Sequence, residues 1–136
     1  MKLFTLALNE LSIVAQEIAY QLPTGGVVVL RGDLAAGKTT LTQAFASYLG
    51  EEEVVTSPTF SLQQCYGERL FHYDLYNKGL ENFLALGLLE ELDKEGYHLI
   101  EWGDERLKDL LASAGIDTMM IEIEKQNDKR VYRCTL

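Results

Sequence analysis

A three-layer α/β fold, with a mixed central sheet between helices, is predicted for this 136-residue chain by three features. The apolar run Val27-Val28-Val29-Leu30-Arg31 leads into Gly32-Asp33-Leu34-Ala35-Ala36-Gly37-Lys38-Thr39-Thr40. An amphipathic stretch follows at once, in which Leu41, Ala44, Phe45, Tyr48 and Leu49 fall at i, i+3, i+4, i+7 and i+8. Beyond it, short apolar segments alternate with helical ones, and turn-like residues join some of the apolar segments as hairpins.

Taken in chain order, Leu3 to Leu8 suits a short edge strand. Asn9 is placed to cap a helix whose apolar face is Leu11, Val14, Ile18 and Leu22, with Pro23 ending it. Thr24-Gly25-Gly26 turns the chain into the apolar run, whose four consecutive apolar residues read as a buried parallel strand. Gly50 stands where a helix C-cap glycine belongs, and Glu51-Glu52-Glu53 reads as a solvated loop. Thr56 to Leu62 opens as a loop and runs into a strand. Gly67-Glu68-Arg69 suits a hairpin turn to Leu70-Phe71-His72-Tyr73-Asp74. Leu80 to Leu92 reads as helical with Gly87 as its weak point, and His98 to Trp102 as a strand. Asp104 can cap a helix that ends by Gly115. Met119 to Glu124 and Val131 to Thr135 form two last strands around an Asn127-Asp128 turn.

The glycine-rich nonapeptide has the G-x-x-x-x-G-K-[ST] spacing of a phosphate-binding loop, so the expected fold is P-loop NTPase-like. Gly32 and Gly37 let the backbone curl until successive N–H groups point into one concavity, an anion nest. The following helix adds its unpaired N-terminal N–H groups and its dipole. Lys38 supplies a point charge for the β- and γ-phosphates, and the Thr39 hydroxyl can ligate Mg²⁺. Such a loop needs a carboxylate at a neighbouring strand end to hold the metal's water shell. Asp74 fits, although an aspartate capping a turn fits the local pattern equally well. Glu101, after Leu99-Ile100, is the competing or complementary acid. Thr59, in Ser57-Pro58-Thr59-Phe60, is a candidate switch hydroxyl sensing the γ-phosphate or the metal. Trp102, the single tryptophan, packs either near the nucleotide or in the core. His72 and His98 lack ligand-like spacing and read as sheet residues, neither ligands nor bases.

Composition narrows the partners. Apolar residues make up 47% and only two prolines occur, which points to one globular domain over residues 1–136. No apolar run is long enough for a membrane helix and no signal-like start is present, so a cytoplasmic location is expected. Cys65 and Cys134 are too few for a disulfide framework. Twelve basic against twenty-one acidic residues give a formal charge of −9, the wrong sign for a protein that grips nucleic acid by itself.

Together the segments Gly32–Thr40, Ser57–Phe60, His72-Tyr73-Asp74-Leu75-Tyr76 and Ile100-Glu101-Trp102 resemble the TsaE (YjeE) family of small P-loop ATPases, over nearly the whole chain. The resemblance implies an accessory ATPase that binds and slowly hydrolyses ATP with Mg²⁺. Its role would be to support formation of N6-threonylcarbamoyladenosine at position 37 of tRNAs reading ANN codons. The implied partner is the TsaB–TsaD complex, which would make the contact with tRNA. Carried onto this chain, the resemblance makes Thr39 and Glu101 the Mg²⁺ ligands and Asp74 the Walker-B-like acid. Lys38 and the backbone of Gly32, Asp33, Leu34, Ala35, Ala36, Gly37, Thr39 and Thr40 would hold the phosphates, with Thr59 in the switch segment. The adenine is expected near Asn9 and near Arg130. Three positions depart from the family pattern: Ala35 and Gly103 replace a usual glycine and a usual proline, and Asn77 stands where an arginine is common.

Two other classes share the loop. A small-molecule kinase needs an arginine-rich lid, and Arg69 and Arg106 are isolated. A nucleotide-dependent binding switch would use Thr59 as a reporter without turnover.

Overall fold

The structure is a computed structural model that describes residues 1–33, 37–56, 62–75, 79–85, 87–102 and 105–136. Among these residues eight strands form one sheet: β1 (Lys2–Leu6), β2 (Gly25–Arg31), β3 (Val54–Thr56), β4 (Gln63–Tyr66), β5 (Leu70–Asp74), β6 (Gly96–Glu101), β7 (Thr118–Gln126) and β8 (Lys129–Thr135). Their order across the sheet is β1-β8-β7-β2-β6-β5-β4-β3. The sheet is mixed: β7, β2, β6 and β5 run parallel, and antiparallel strands extend it on both sides. The helices are α1 (Ser12–Gln21), α2 (Lys38–Leu49), α3 (Gly79–Ala85), α4 (Leu88–Glu91) and α5 (Glu105–Ser113).

Strand periodicity creates the layers. Side chains alternate across a sheet, so Val28 and Leu30 of β2 enter one core with Leu99, Ile121, Val14, Ile18, Leu41 and Phe45. Val27 and Val29 enter the opposite core with Ile100, Met120, Phe83, Leu88, Leu107 and Leu111. Helices α1 and α2 therefore cover one face, while α3, α4 and α5 cover the other. Both faces of β2 are dry, which is why its sequence is continuously apolar rather than alternating. Each such buried aliphatic side chain contributes roughly 1.5–3 kcal/mol.

The expected elements recur among the described residues, with three departures. Asn9 does not cap α1. It lies in an exposed 3-10 turn, Leu8–Glu10, and α1 starts at Ser12 with no side-chain cap on its first turn. The carboxylate of Glu10 closes that turn instead, accepting from the Ala7 N–H at 2.8 Å. The helical segment after residue 79 is two helices, because Gly87 adopts a left-handed conformation (φ +74°) that ends one and starts the next. Strand β3, opposite β4, was not foreseen; three residues are too few to display a period. Strands β1 and β8, far apart in sequence, lie side by side and antiparallel. The cap expected at Asp104 falls outside the described residues. Among the described residues no helix is long and apolar enough to cross a membrane.

Candidate nucleotide site

The site forms at the carboxyl ends of the parallel strands, where open α/β sheets present their crevice. Strand β2 ends at Arg31, and α2 begins at Lys38. Gly37 caps that helix in a left-handed conformation (φ +102°), a backbone that an L side chain adopts only with strain. From this cap the side chain of Lys38 folds back under the loop. Its Nζ donates to the carbonyl oxygens of Gly32 and Asp33, each at 2.7 Å, and sits 3.9 Å from the centre of the Trp102 ring. Burial lowers the Lys38 ammonium from its ordinary value, against the opposing charges of Glu101, Asp33 and Asp74.

Thr39, one residue on, donates its hydroxyl to Glu101 Oε2 at 2.9 Å. Glu101 ends β6, the strand between β2 and β5. Its register partners are Leu30 on one side and Asp74 on the other, which aligns both acids with the exit of the loop strand. Glu101 is buried while Asp74 is exposed. Burial on its own would raise the Glu101 carboxyl. The hydrogen bond and charge of His72, the Thr39 hydroxyl and the Lys38 charge outweigh it and hold the group below its ordinary value. Glu101 is thus kept ready as an anion.

A cation fits this donor set. Thr39 gives its proton to Glu101 and keeps its oxygen lone pairs, so the pair offers two hard oxygen groups suited to Mg²⁺. Among the described residues no group of three or more His, Cys, Asp or Glu side chains could hold a metal alone. Mg²⁺ commonly takes one or two protein ligands and completes its shell with water and phosphate oxygens.

The other expected residues divide. Thr40 lies half-buried in the first turn of α2. Arg130 comes close to the loop, its Nε 4.0 Å from where a side chain at Gly37 would begin. Arg130 also pairs in register with Leu6, the last residue of β1, just before the turn that carries Asn9. Leu34, Ala35, Ala36, Thr59, Asn77 and Gly103 lie outside the described residues. Trp102 packs against the core of Val27 and Val29 with its ring facing Lys38; half-buried, with φ +69°, it donates its backbone N–H to Leu30 O at 3.1 Å.

His98 behaves as a sheet residue. It stacks on Phe71, accepts from the Tyr73 hydroxyl and donates to the Lys94 carbonyl on the face away from the loop. His72 is a buried strand residue as well, but its ring Nε2 also hydrogen-bonds Glu101 Oε2. Sequence spacing missed this because the pairing crosses strands. The available signal was period two: His72 and Asp74 share a face of β5, and Glu101 lies opposite Asp74.

A glycine-capped helix start bearing lysine and threonine, beside a strand-end glutamate, makes this an α/β protein of P-loop NTPase-like fold. The sequence model of one family, described as "Threonylcarbamoyl adenosine biosynthesis protein TsaE", matches residues 6–133, and the chain belongs to that family. It is 36% identical over 137 residues to a Bacillus subtilis protein named tRNA threonylcarbamoyladenosine biosynthesis protein TsaE, covering 93% of this chain and 86% of that one. A Treponema pallidum protein of the same name is 44% identical over 92 residues, covering 65% of this chain and 68% of its own. Among solved structures, Bacillus subtilis YdiB superposes with a TM-score of 0.61 at 28% identity, over 96% of this chain and 83% of that one.

Proposed function

We propose that the chain is an accessory ATPase of tRNA threonylcarbamoyladenosine formation, binding ATP with Mg²⁺, hydrolysing it slowly and acting with the TsaB–TsaD complex. The observation that carries this reading is the Thr39–Glu101 hydrogen bond beside Lys38, on a chain of this family. In this reading Lys38 leaves the Gly32 and Asp33 carbonyls for the phosphate oxygens, and the N–H groups at the start of α2 bind the same anion. Thr39, Glu101 and Asp74 hold the metal side, Glu101 directly and Asp74 from the exposed strand end. When bound, Mg²⁺ would neutralise charge on the β- and γ-phosphate oxygens. Asn9 and Arg130 flank the base. The charge of −9 agrees with docking on proteins while leaving tRNA to them.

The test is reconstitution of tRNA modification with TsaB, TsaD and the threonylcarbamoyl-adenylate donor, with and without this protein. Multiple turnover is expected only when it is present, together with phosphate release that TsaB and TsaD accelerate. Equal multiple-turnover product in its absence overturns the proposal.

A further inference from the structure

We infer that His72 is a positioning residue for the Glu101 carboxylate, an inference that rests on the metal role proposed above for Glu101. The terminal torsion of a glutamate is soft and roughly two-fold, so a carboxylate that must present one oxygen in a set direction needs an external hold. Glu101 has one. Its Oε2 accepts from two donors on different elements, the Thr39 hydroxyl of α2 and the His72 ring of β5. A carboxylate accepts only, so the His72 Nε2 is the donor. Two donors converging on one oxygen stop the group from turning and leave the second oxygen as the acceptor available for the metal's shell.

The fold secures the second donor. His72 and Glu101 lie on the same face of adjacent parallel strands, since His72 pairs with Leu99 and Asp74 with Glu101. Both side chains are buried, at 6% and 5% exposure, which shields the bond from competing water. The Tyr66 ring, tilted at 54° with its centre 6.4 Å away, backs the imidazole. Asp74, two residues along β5, is exposed and has no comparable burial. A histidine serving only to fill the core would not be aimed at the one acid that also holds Thr39.

The experiment titrates Mn²⁺, as a stand-in for Mg²⁺, into the full chain saturated with a non-hydrolysable ATP analogue, reading free Mn²⁺ by electron paramagnetic resonance. Loss of a hydrogen-bonding support behind a metal ligand costs on the order of tenfold or more in metal affinity, and that loss is expected for His72→Phe. His72→Gln, whose amide N–H reaches toward the same oxygen, should recover most of the affinity. Binding of the analogue in EDTA, followed by Trp102 emission, should be the same in all three proteins. The inference is overturned if His72→Phe binds Mn²⁺ as tightly as the parent, if His72→Gln is as weak as His72→Phe, or if His72→Phe also loses metal-free nucleotide binding. A parent protein that binds Mn²⁺ no better than Glu101→Gln would instead remove the metal role of Glu101, and the inference falls with that reading.

Discussion

Lys38 is buried, and among the described residues its ammonium donates to two carbonyl oxygens and faces an aromatic ring. In the proposed role this ammonium exchanges those carbonyls for phosphate oxygens, beside the charges of Glu101, Asp33 and Asp74. Removing it in Lys38→Ala should weaken ATP binding by about a hundredfold, as for loss of a charged donor in a preorganised site, measured by calorimetry at fixed Mg²⁺. Glu101→Ala should leave nucleotide binding largely intact and lower Mg²⁺-dependent turnover by about 10²-fold or more. Normal partner-stimulated turnover in that variant would remove Glu101 from the mechanism. His98 makes a different kind of prediction. Burial depresses its pKa below the ordinary value, and its Nε2–H and Nδ1 are both engaged as a neutral ring. The unfolded chain then takes up a proton first as pH falls. The contribution of His98 to stability is complete above about pH 6.5 and is lost as pH drops from there toward the folded value. Urea midpoints recorded against pH should show this slope, and His98→Gln should flatten it.

Elements were legible in the sequence where one physical rule decided them. Continuous apolarity marked β2, the i, i+3, i+4 stripe marked α2, and Gly50 with φ +74° closed that helix where expected. Rules that compete locally were harder to read. Asn9 is a good capping residue, yet Glu10 reaches back to Ala7 and takes the turn from it. Gly87 was visible as a weakness, but whether it bends or divides a helix depends on packing. The site followed the same division: Gly32, Gly37, Lys38 and Thr39 are adjacent in the chain and legible, whereas the His72–Glu101 contact needs strand register that no local pattern carries. At this scale Phe45 is the residue to test. It is fully buried on α2 and meets Tyr97 of β6 edge-on at 4.9 Å, tying the loop helix to the strand of Glu101. Phe45→Ala should cost about 3–5 kcal/mol of unfolding free energy, read by denaturant titration.

Across the whole molecule the charge of −9 sets the terms of association. Basic residues gather at the β7–β8 hairpin, in Lys125, Lys129, Arg130 and Arg133, and Arg133 is already paired with Glu124 at 2.8 Å. Too few phosphates can be neutralised there for tight, salt-dependent tRNA binding. The isolated chain should therefore fail to shift free tRNA in a gel at physiological salt, and a firm shift that vanishes with added salt would contradict the protein-docking role.

The order of the strands also governs how the molecule comes into being on the ribosome. Among the described strands β1 precedes and β8 follows all the others, yet the two pair with each other, and β2 waits for β6 and β7 on its two sides. The nascent chain thus carries the loop strand with neither neighbour in place until β6 has been made. Such long-range pairing slows folding and exposes apolar surface while it is incomplete. Enclosing β2 on both sides waits for β6 and β7, so the strand before residue 32 and the helix after residue 37 are locked onto the sheet in a late step.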